Sequence, residues 1–405
     1  MISVDEALAV VLERVAVLDA EAVALAESFS RVLREDVIAD RDLPPFNRAA
    51  MDGFAVRSAD AGTANARLRI AGAIRAGSWP ARAVRAGEAF RIMTGAPVPE
   101  GADAVIQVER TKTLDGSLVE LETAVTAGQN IVRQGTEAAQ GSTLLHAGIR
   151  IGAPHLAVLA SVGVMEPRVS RRPRVAVIVT GDEVISPSQS PAPAQIRNAN
   201  GPALLAAIAE AGGIASDLGV VPDDPAQTRA TIEHAFATGH DAIVLSGGVS
   251  AGDFDFVESE LGHLGVALHV SAVRVKPGAP FVFGTQGSTL VFGLPGNPVS
   301  AQVTFELFVR PALLKMQGAR AVLRPHLHAV LQGTLANRSN RRNYLPVQVT
   351  VEADGLRARP VRTQGSGDTL AHALANALAI LEPDRRSAVA GDVVIIYPLS
   401  SFFEV

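Results

Sequence analysis

The chain has 405 residues, with 36 Lys and Arg against 41 Asp and Glu, no Cys and 48% hydrophobic residues. A length and composition of this kind predict about two to four domains with buried cores rather than a disordered chain. The net charge of −5 argues against a protein that binds nucleic acid through a broad basic surface. The absence of Cys excludes disulfides, thiolate nucleophiles, iron–sulfur clusters and zinc held by Cys.

The longest uncharged segment argues against a membrane protein. It runs from Pro277 to Phe305 and contains four prolines and five glycines, so it cannot form one apolar helix. Asp5 and Glu6 stand where a secretory signal carries Lys or Arg. We therefore expect a soluble, multidomain, cytoplasmic protein.

The N-terminal third combines helical and β-type patterns. Ser3–Glu6 form a capping box followed by apolar residues at helical spacing, so we expect the first thirty-odd residues to be helical. From Asp42 to about Ser142, short alternating runs are separated by glycines, which indicates a β-rich domain. The pattern returns to helix from Pro154 to Val164. The β-rich domain is thus predicted to be an insertion between two helical segments.

The remainder of the chain first alternates strand and helix and then becomes β-rich. Arg174–Thr180 has the apolar run of a buried strand, and strands and helices then alternate as far as Met316, with Val266–Val275 among the strands. Strands separated by helices of this length predict a mainly parallel, doubly wound α/β sheet covered on both faces. From about Ala319 the pattern is β-rich again.

Loops that follow the predicted strands hold the first candidate site residues, because open parallel sheets bind ligands at the carboxyl ends of their strands. The loop Thr180–Glu183 ends in two acidic residues. Taken alone, this loop is explained slightly better by a strand-end turn with its acids near a helix N-terminus. The loop Gly293–Ser300 is stiffened by two prolines and opens a helix.

The loop that follows strand Asp241–Leu245 is rich in glycine. Its adjacent glycines, Gly247 and Gly248, are expected to leave backbone N–H groups free to line an anion site. The alternative is a glycine turn with Asp253 as the helix N-cap, which leaves Asp255 without a role.

The candidate ligands are carboxylates, without His or Cys clusters, and this favours Mg²⁺ over zinc. Lys276 follows a strand and can act as a point charge for an oxyanion, although an exposed strand-end lysine is the alternative. The residues alone therefore predict an α/β enzyme that handles a phosphorylated or nucleotide-like substrate with Mg²⁺. They do not identify the substrate.

Five motifs occur in order along nearly the whole chain. They are Leu43-Pro-Pro-Phe-Asn-Arg-Ala-Ala-Met-Asp-Gly-Phe-Ala55, Met93-Thr-Gly-Ala-Pro97, Thr180-Gly-Asp-Glu183, Ser246-Gly-Gly-Val-Ser250 and Gly293-Leu-Pro-Gly-Asn-Pro298. Together they resemble the molybdopterin molybdenumtransferase family, bacterial enzymes related to the E domain of gephyrin.

The resemblance implies a reaction and its partners. The family takes adenylylated molybdopterin and molybdate, uses Mg²⁺, cleaves the pyrophosphate link with release of AMP, and inserts molybdenum at the dithiolene sulfurs. Because the substrate supplies the sulfurs, a chain without Cys can carry out this chemistry. The resemblance also implies an elongated homodimer in which the β-rich insertion completes the partner's site. A transient contact with the upstream adenylyltransferase is expected, and none with nucleic acid or membrane.

The resemblance assigns roles to particular residues. The implied catalytic residues are Asp52, Thr94, Glu183, Asp223 and Asp255, and Glu183, Asp223 and Asp255 are also the implied Mg²⁺ ligands. The implied substrate-binding residues are Gly247, Gly248, Ser250, Lys276, Pro295, Asn297 and Ser366.

Two positions depart from the family pattern. Ala272 and Pro346 stand where the family commonly has basic residues, and Arg274, Arg341 and Arg342 are the expected substitutes because guanidinium groups bind oxyanions well.

The fold class predicted in this way is multidomain α/β plus β. A helical domain is expected at residues 1–43 and 144–172, and a β-rich inserted domain, or lever, at 44–143. The α/β molybdopterin-binding domain is expected at 173–318 and a β-barrel-like domain at 319–405.

Two other functions are compatible with parts of the sequence. A non-catalytic molybdopterin-binding scaffold would explain the changed positions Ala272 and Pro346. A molybdopterin adenylyltransferase, acting one step earlier, would share the α/β domain but would not require the other domains, which make up more than half of the chain.

Overall fold

The structure, a computed structural model, describes residues 1–249 and 257–403, and the chain forms two compact units. The first unit consists of Met1–Arg34, Gly148–Gly152 and the described residues from Glu166 onward. The second consists of Glu35–Ala147 and Ala153–Met165. Within the described residues, no helix has the length and apolar character needed to cross a membrane.

The second unit is built on a six-stranded sheet. Alternate residues of each strand point to opposite faces, so Phe54 joins one apolar core and Ala55 the other. In spatial order the strands are Ala104–Gln107, Gly53–Val56, Glu88–Ile92, Arg67–Ile74, Leu118–Leu121 and Thr111–Thr113, and only the third and fourth run parallel. The unit also contains the paired strands Arg48–Ala49 and Ile131–Val132, the paired strands Val37–Ile38 and Thr143–Leu145, the helix Ala153–Ser161, and 3-10 turns at Ser58–Asp60 and Val108–Arg110.

A six-stranded α/β sheet forms the centre of the first unit. Its strands in spatial order are Ile214–Val221, Arg174–Thr180, Ala242–Ser246, Thr289–Leu294, Val282–Gln286 and Ala267–Val270. The first four are parallel to one another, and the fifth pairs antiparallel with both the fourth and the sixth. One face packs on the helices Val4–Glu13, Asn200–Glu210, Pro298–Thr304 and Arg310–Met316, with the π-helical segment Phe305–Val309 between the last two, and the other face on Pro225–Ala237 and Val257–His263.

The C-terminal part of the first unit closes a five-stranded barrel, as the sequence predicts. The strands follow one another around the barrel as Arg342–Glu352, Gly355–Pro360, Leu327–Leu331, Val393–Pro398 and Ala377–Leu381, and the last pairs back onto the first. Short elements of this unit are the paired strands Ala20–Ala22 and Arg168–Ser170, Val184–Ile185 and Ile196–Arg197, and Leu335–Ala336 and Ser387–Ala388, the helix Thr369–Ala373, and 3-10 turns at Leu25–Ser28 and Ser400–Phe403.

Two predicted elements differ from the observed ones. The strand predicted for Val266–Val275 leaves the α/β sheet after Val270, and Val275–Lys276 pairs instead with barrel strand Arg342–Glu352. The N-terminal helix ends at Glu13, so the prediction of a helix over thirty-odd residues is wrong beyond that point.

Tertiary contacts explain where the N-terminal helix stops. The residues that follow it include the β-branched Val15 and Val17, which lose side-chain freedom in a helix. Val15 is buried in the same core as the helix. The N–H of Leu18 donates to the carbonyl of Met316 at 2.7 Å, a bond that competes with continued helix.

Candidate active site

A cleft of about 1170 Å³ opens at the carboxyl ends of the parallel strands of the α/β sheet. One wall contains Thr180, Ser246 and Pro295, from the ends of three neighbouring strands or the loop that follows. Asn343 and Tyr344, from barrel strand Arg342–Glu352, also line the cleft. The volume suits a ligand of dinucleotide size.

The cleft contains most of the site residues predicted in this unit. These are Glu183, Asp223, Gly247, Gly248, Lys276, Pro295, Asn297 and Ser366. Ser250, Asp253 and Asp255 lie outside the described residues. Asp52 and Thr94 belong to the second unit.

The two glycines of the loop after Ala242–Ser246 have positive φ angles, 106° at Gly247 and 66° at Gly248. A Cβ on Gly247 would lie 2.5 Å from Oγ1 and 2.6 Å from the carbonyl oxygen of Thr180, so no larger residue fits there. The N–H of Gly247 is not among the free backbone N–H groups that the sequence predicts for this loop. Its N–H donates to the carbonyl of Leu294 at 3.1 Å and joins the loop to the neighbouring strand end.

Two acidic loops are tied together on one side of the cleft. The N–H of Asp223 donates to Oδ1 of Asp182 at 3.0 Å, and the N–H of Asp182 donates to Oδ2 of Asp223 at 3.4 Å. Glu183 folds back over Gly181, where an added Cβ would lie 2.7 Å from its Oε2. A short strand, Val184–Ile185, follows this loop, so the alternative of acids at a helix N-terminus is wrong.

These carboxylates do not form a complete protein cage for a metal. Within residues 1–249 and 257–403, no three His, Asp or Glu side chains lie together as metal ligands. Glu183 and Asp223 nevertheless line the same cleft. One or two carboxylates are the usual protein contribution to Mg²⁺ sites that are completed by substrate phosphates and water.

The predicted residues Asn297 and Ser366 contact each other. Nδ2 of Asn297 donates to Oγ of Ser366 at 3.0 Å, and the N–H of Val299 donates to the carbonyl of Ser366 at 3.0 Å. This pair joins the loop before helix Pro298–Thr304 to the segment that precedes helix Thr369–Ala373, and both belong to the cleft wall.

Four cations line the cleft, namely Arg197, Lys276, Arg338 and Arg341. None of them forms an ion pair with a carboxylate within the described part of the chain. Arg342, one of the expected substitutes, instead donates to Asp5 at 2.8 and 2.9 Å and pairs with Glu382 at 2.8 Å. Arg274 is not among the residues lining the cleft, so Arg341 alone of the three expected arginines is placed there.

Sequence reasoning missed several polar residues of the cleft, including Asn198, Asn200, Ser300, Arg338, Asn343 and His372. Asn200 is the most informative, because its Nδ2 donates to Oγ of Ser246 at 2.8 Å and to the carbonyl of Gly296 at 2.7 Å. No local signal marked it, because Asn is common at the start of a helix and the run Arg197-Asn-Ala-Asn-Gly201 does not show which amide is buried.

Two titratable groups on the cleft are uncharged near neutral pH. Burial raises the pKa of Tyr344 to about 12. Burial also lowers the pKa of His372, whose Nδ1 is buried and has no protein partner among the described residues. The fixed charges of the cleft are therefore those of its carboxylates, arginines and lysine.

The second unit brings Asp52 and Thr94 together. Oδ1 of Asp52 accepts from Oγ1 of Thr94 at 2.6 Å and from its N–H at 2.7 Å. These hydrogen bonds from Thr94 lower the pKa of Asp52, because they stabilise the ionised carboxylate. The carboxylate is exposed and carries its charge at neutral pH.

Comparison with known proteins gives consistent matches along the chain. Family models described as "MoeA N-terminal region (domain I and II)", "Probable molybdopterin binding domain" and "MoeA C-terminal region (domain IV)" match residues 2–163, 176–315 and 328–399. The chain is 34% identical over 391 residues to the molybdopterin molybdenumtransferase of Staphylococcus epidermidis, covering 94% of this chain and 91% of that protein. It is 32% identical over 399 residues to the Staphylococcus aureus protein of the same name, covering 98% and 95%.

Solved structures match over the same extent. A molybdopterin biosynthesis MoeA protein from Pyrococcus horikoshii OT3 is 30% identical, with a TM-score of 0.84 and coverage of 98% of this chain and 99% of that one. A second structure of a MoeA protein from the same genus is 33% identical, with a TM-score of 0.80 and the same coverage.

Proposed function

The chain belongs to the molybdopterin molybdenumtransferase family, and we propose that it inserts molybdenum from molybdate into adenylylated molybdopterin with release of AMP. This reaction is the final step of molybdenum cofactor biosynthesis. The observation that carries the proposal is the cleft, in which carboxylates, a glycine turn and several cations line one volume. Cleaving a pyrophosphate link beside an oxyanion requires those groups together.

The chain's own residues would bind and orient the two substrates. The glycine turn at Gly247 and Gly248 lets a flat or phosphorylated ligand approach the strand ends closely. Lys276, Arg338 and Arg341 would attract molybdate and the phosphates of the substrate. These cations argue against the scaffold alternative. The cleft retains positive charge although Ala272 and Pro346 stand where the family commonly has basic residues.

We propose that Glu183 and Asp223 hold Mg²⁺, with Asp255 assigned to the same role from the family resemblance. The two described carboxylates fit such an ion, since both line one cleft and one or two carboxylates are the usual protein contribution to a Mg²⁺ site that phosphates and water complete. When bound, Mg²⁺ would offset phosphate charge and acidify water. The carboxylates themselves would orient the attacking oxygen toward the phosphorus atom of the AMP group.

We further propose a homodimer in which Asp52 and Thr94 complete the site of the partner subunit. The support is the preorganised carboxylate of Asp52, which Thr94 holds ionised although neither residue contributes to a core. A cytoplasmic location and a transient contact with the upstream adenylyltransferase stay predictions from the sequence.

The four-domain division given above is also a proposal. It is supported by the description of residues 2–163 as two family domains and of residues 328–399 as another. Matches on both sides of the α/β region disfavour the adenylyltransferase alternative, which would need the α/β region alone.

The direct test is AMP release from adenylylated molybdopterin with Mg²⁺, with and without molybdate and with tungstate in parallel. We expect release to depend on molybdate and to fall at least about 100-fold in Glu183→Gln and Asp223→Asn. Asp217→Asn serves as the control, since Asp217 is an exposed acid outside the cleft. Tight substrate binding without release under any oxyanion would overturn the proposal and favour a scaffold.

A further inference from the structure

Besides Nδ1 of His372, two polar atoms of the cleft are buried and have no hydrogen-bond partner within the described part of the chain. They are Oδ1 of Asn200 and Oγ1 of Thr180. Asn200 is 8% exposed and Thr180 is 5% exposed, and both line the cleft. A buried polar atom without a partner costs stability, so its retention beside a cleft points to a partner supplied by a ligand.

Two hydrogen bonds from its amide nitrogen, Nδ2, fix the orientation of the Asn200 side chain. Its Nδ2 donates to Oγ of Ser246 and to the carbonyl of Gly296, which uses both amide hydrogens. Rotating the amide by half a turn would place Oδ1 against the Gly296 carbonyl, which is an acceptor only. Oδ1 is therefore held as an acceptor that can take a hydrogen from a bound molecule.

The two unpartnered atoms flank the same short turn. Asn200 contacts Ser246, and the next residue, Gly247, packs so closely on Thr180 that an added Cβ would lie 2.5 Å from its Oγ1. Thr180 and Ser246 are the last residues of neighbouring parallel strands. An acceptor and a hydroxyl that can donate or accept are thus presented at one point of the sheet edge.

We propose that Asn200 and Thr180 together recognise the edge of a flat nitrogen heterocycle that has an N–H donor beside a hydrogen-bond acceptor. Oδ1 of Asn200 accepts from the N–H group, and the Thr180 hydroxyl bonds the neighbouring carbonyl or ring nitrogen. The inference rests on the proposed function, whose substrate carries two such edges, one on the pterin and one on the adenine. A buried polar pair of this kind rejects analogues that lack the matching groups.

The sharpest test is Thr180→Val, which removes only the hydroxyl and keeps the shape of the side chain. We expect the affinity for one of two probes, molybdopterin or AMP, to fall about tenfold, as for the loss of one buried hydrogen bond. The melting temperature should stay equal or rise, because no bond within the protein is lost. Thr180→Ser, which keeps the hydroxyl, should bind both probes as the wild type does.

Thr228→Val is a matched control. Thr228 also has a buried hydroxyl without a partner among the described residues, but it lies in helix Pro225–Ala237 and does not line the cleft. Its replacement should leave both affinities unchanged.

The two probes also separate the possible outcomes. Loss of molybdopterin affinity alone assigns the pair to the pterin, and loss of AMP affinity alone assigns it to the adenine. Unchanged binding of both by Thr180→Val, or an equal loss of both, would overturn the inference. AMP release by the wild type is measured in parallel, so that failure of the proposed function is seen separately.

Discussion

At the scale of single residues, the contact between Asp52 and Thr94 joins two sequence motifs through one hydrogen-bonded carboxylate. The two residues are 42 positions apart, and the Thr94 hydroxyl and N–H both donate to one carboxylate oxygen. The hydrogen bonds fix the carboxylate and hold its pKa below the ordinary value. The two bonds thus hold an ionised carboxylate in one orientation on an exposed surface.

Thr94→Val tests this assignment by removing the hydroxyl and keeping the backbone bond. The pKa of Asp52 should rise toward its ordinary value of 3.8, because the side-chain bond from Thr94 is the largest cause of the shift. The measurement is an NMR titration of the Asp52 side-chain carbon. Thr113→Val, at an exposed strand end, is the control. An Asp52 pKa that is the same in the Thr94 variant and the wild type would contradict the assignment.

Residues of the cleft divide clearly into those that sequence reasoning could find and those it could not. Gly247, Lys276 and Asn297 could be named because each lies in or beside a loop that follows a strand. Asn200 and Arg338 could not, because an Asn or Arg at the edge of a helix or short strand is common. Their roles depend on distant partners, such as the contact of Asn200 with Gly296.

At the scale of elements, the turn after strand Ala242–Ser246 is determined by close packing. The backbone of Gly247 rests on the end of strand Arg174–Thr180 and donates to Leu294. The turn thereby connects three neighbouring strand ends at the cleft. The position tolerates no side chain, because the obstructing atom is a backbone oxygen that cannot move aside alone.

Gly247→Ala should therefore destabilise the protein by about 2 kcal/mol or more and reduce substrate binding. Gly287→Ala is the matched control, since Gly287 also has a positive φ, of 57°, but an added Cβ would have no neighbour within 4 Å. Chemical unfolding of both variants separates close packing from backbone strain. Equal destabilisation of the two would show that the contact with Thr180 has no effect.

Local pattern predicted most elements of the α/β sheet but misjudged those that depend on distant partners. Strand Ala377–Leu381 was not predicted, because its sequence Ala-Leu-Ala-Ile-Leu is equally compatible with a buried helix. This segment forms a strand because it pairs with two barrel strands. Val275–Lys276 likewise joins the barrel through pairing that no local signal indicates.

At the scale of the whole molecule, the residues that the family resemblance assigns to the site fall in both units. The cleft residues lie in the first unit, while Asp52 and Thr94 lie in the second. The sequence indicated the order of these parts along the chain. It could not indicate how the barrel closes, since closure depends on pairing between residues that are 30 to 38 positions apart in the chain.

Complementation between inactive variants tests the homodimer with shared sites. Asp52→Ala and Glu183→Ala should each be inactive alone. Co-expressed, they should recover about a quarter of wild-type activity, because half of the dimers are mixed and each of those has one intact site. Two variants altered in the same unit, Glu183→Ala with Asp223→Ala, provide the control and should stay inactive. No recovery in the first pair would contradict a site shared between subunits.

The most direct measurement of the central claim is the amount of molybdenum bound to the pterin for each AMP released. Both quantities are obtained from one anaerobic reaction, with AMP measured by chromatography and pterin-bound molybdenum by mass spectrometry. A molybdenumtransferase that couples cleavage to insertion should yield equal amounts, with neither product formed when molybdate is omitted. AMP released without molybdenum appearing on the pterin would contradict the account.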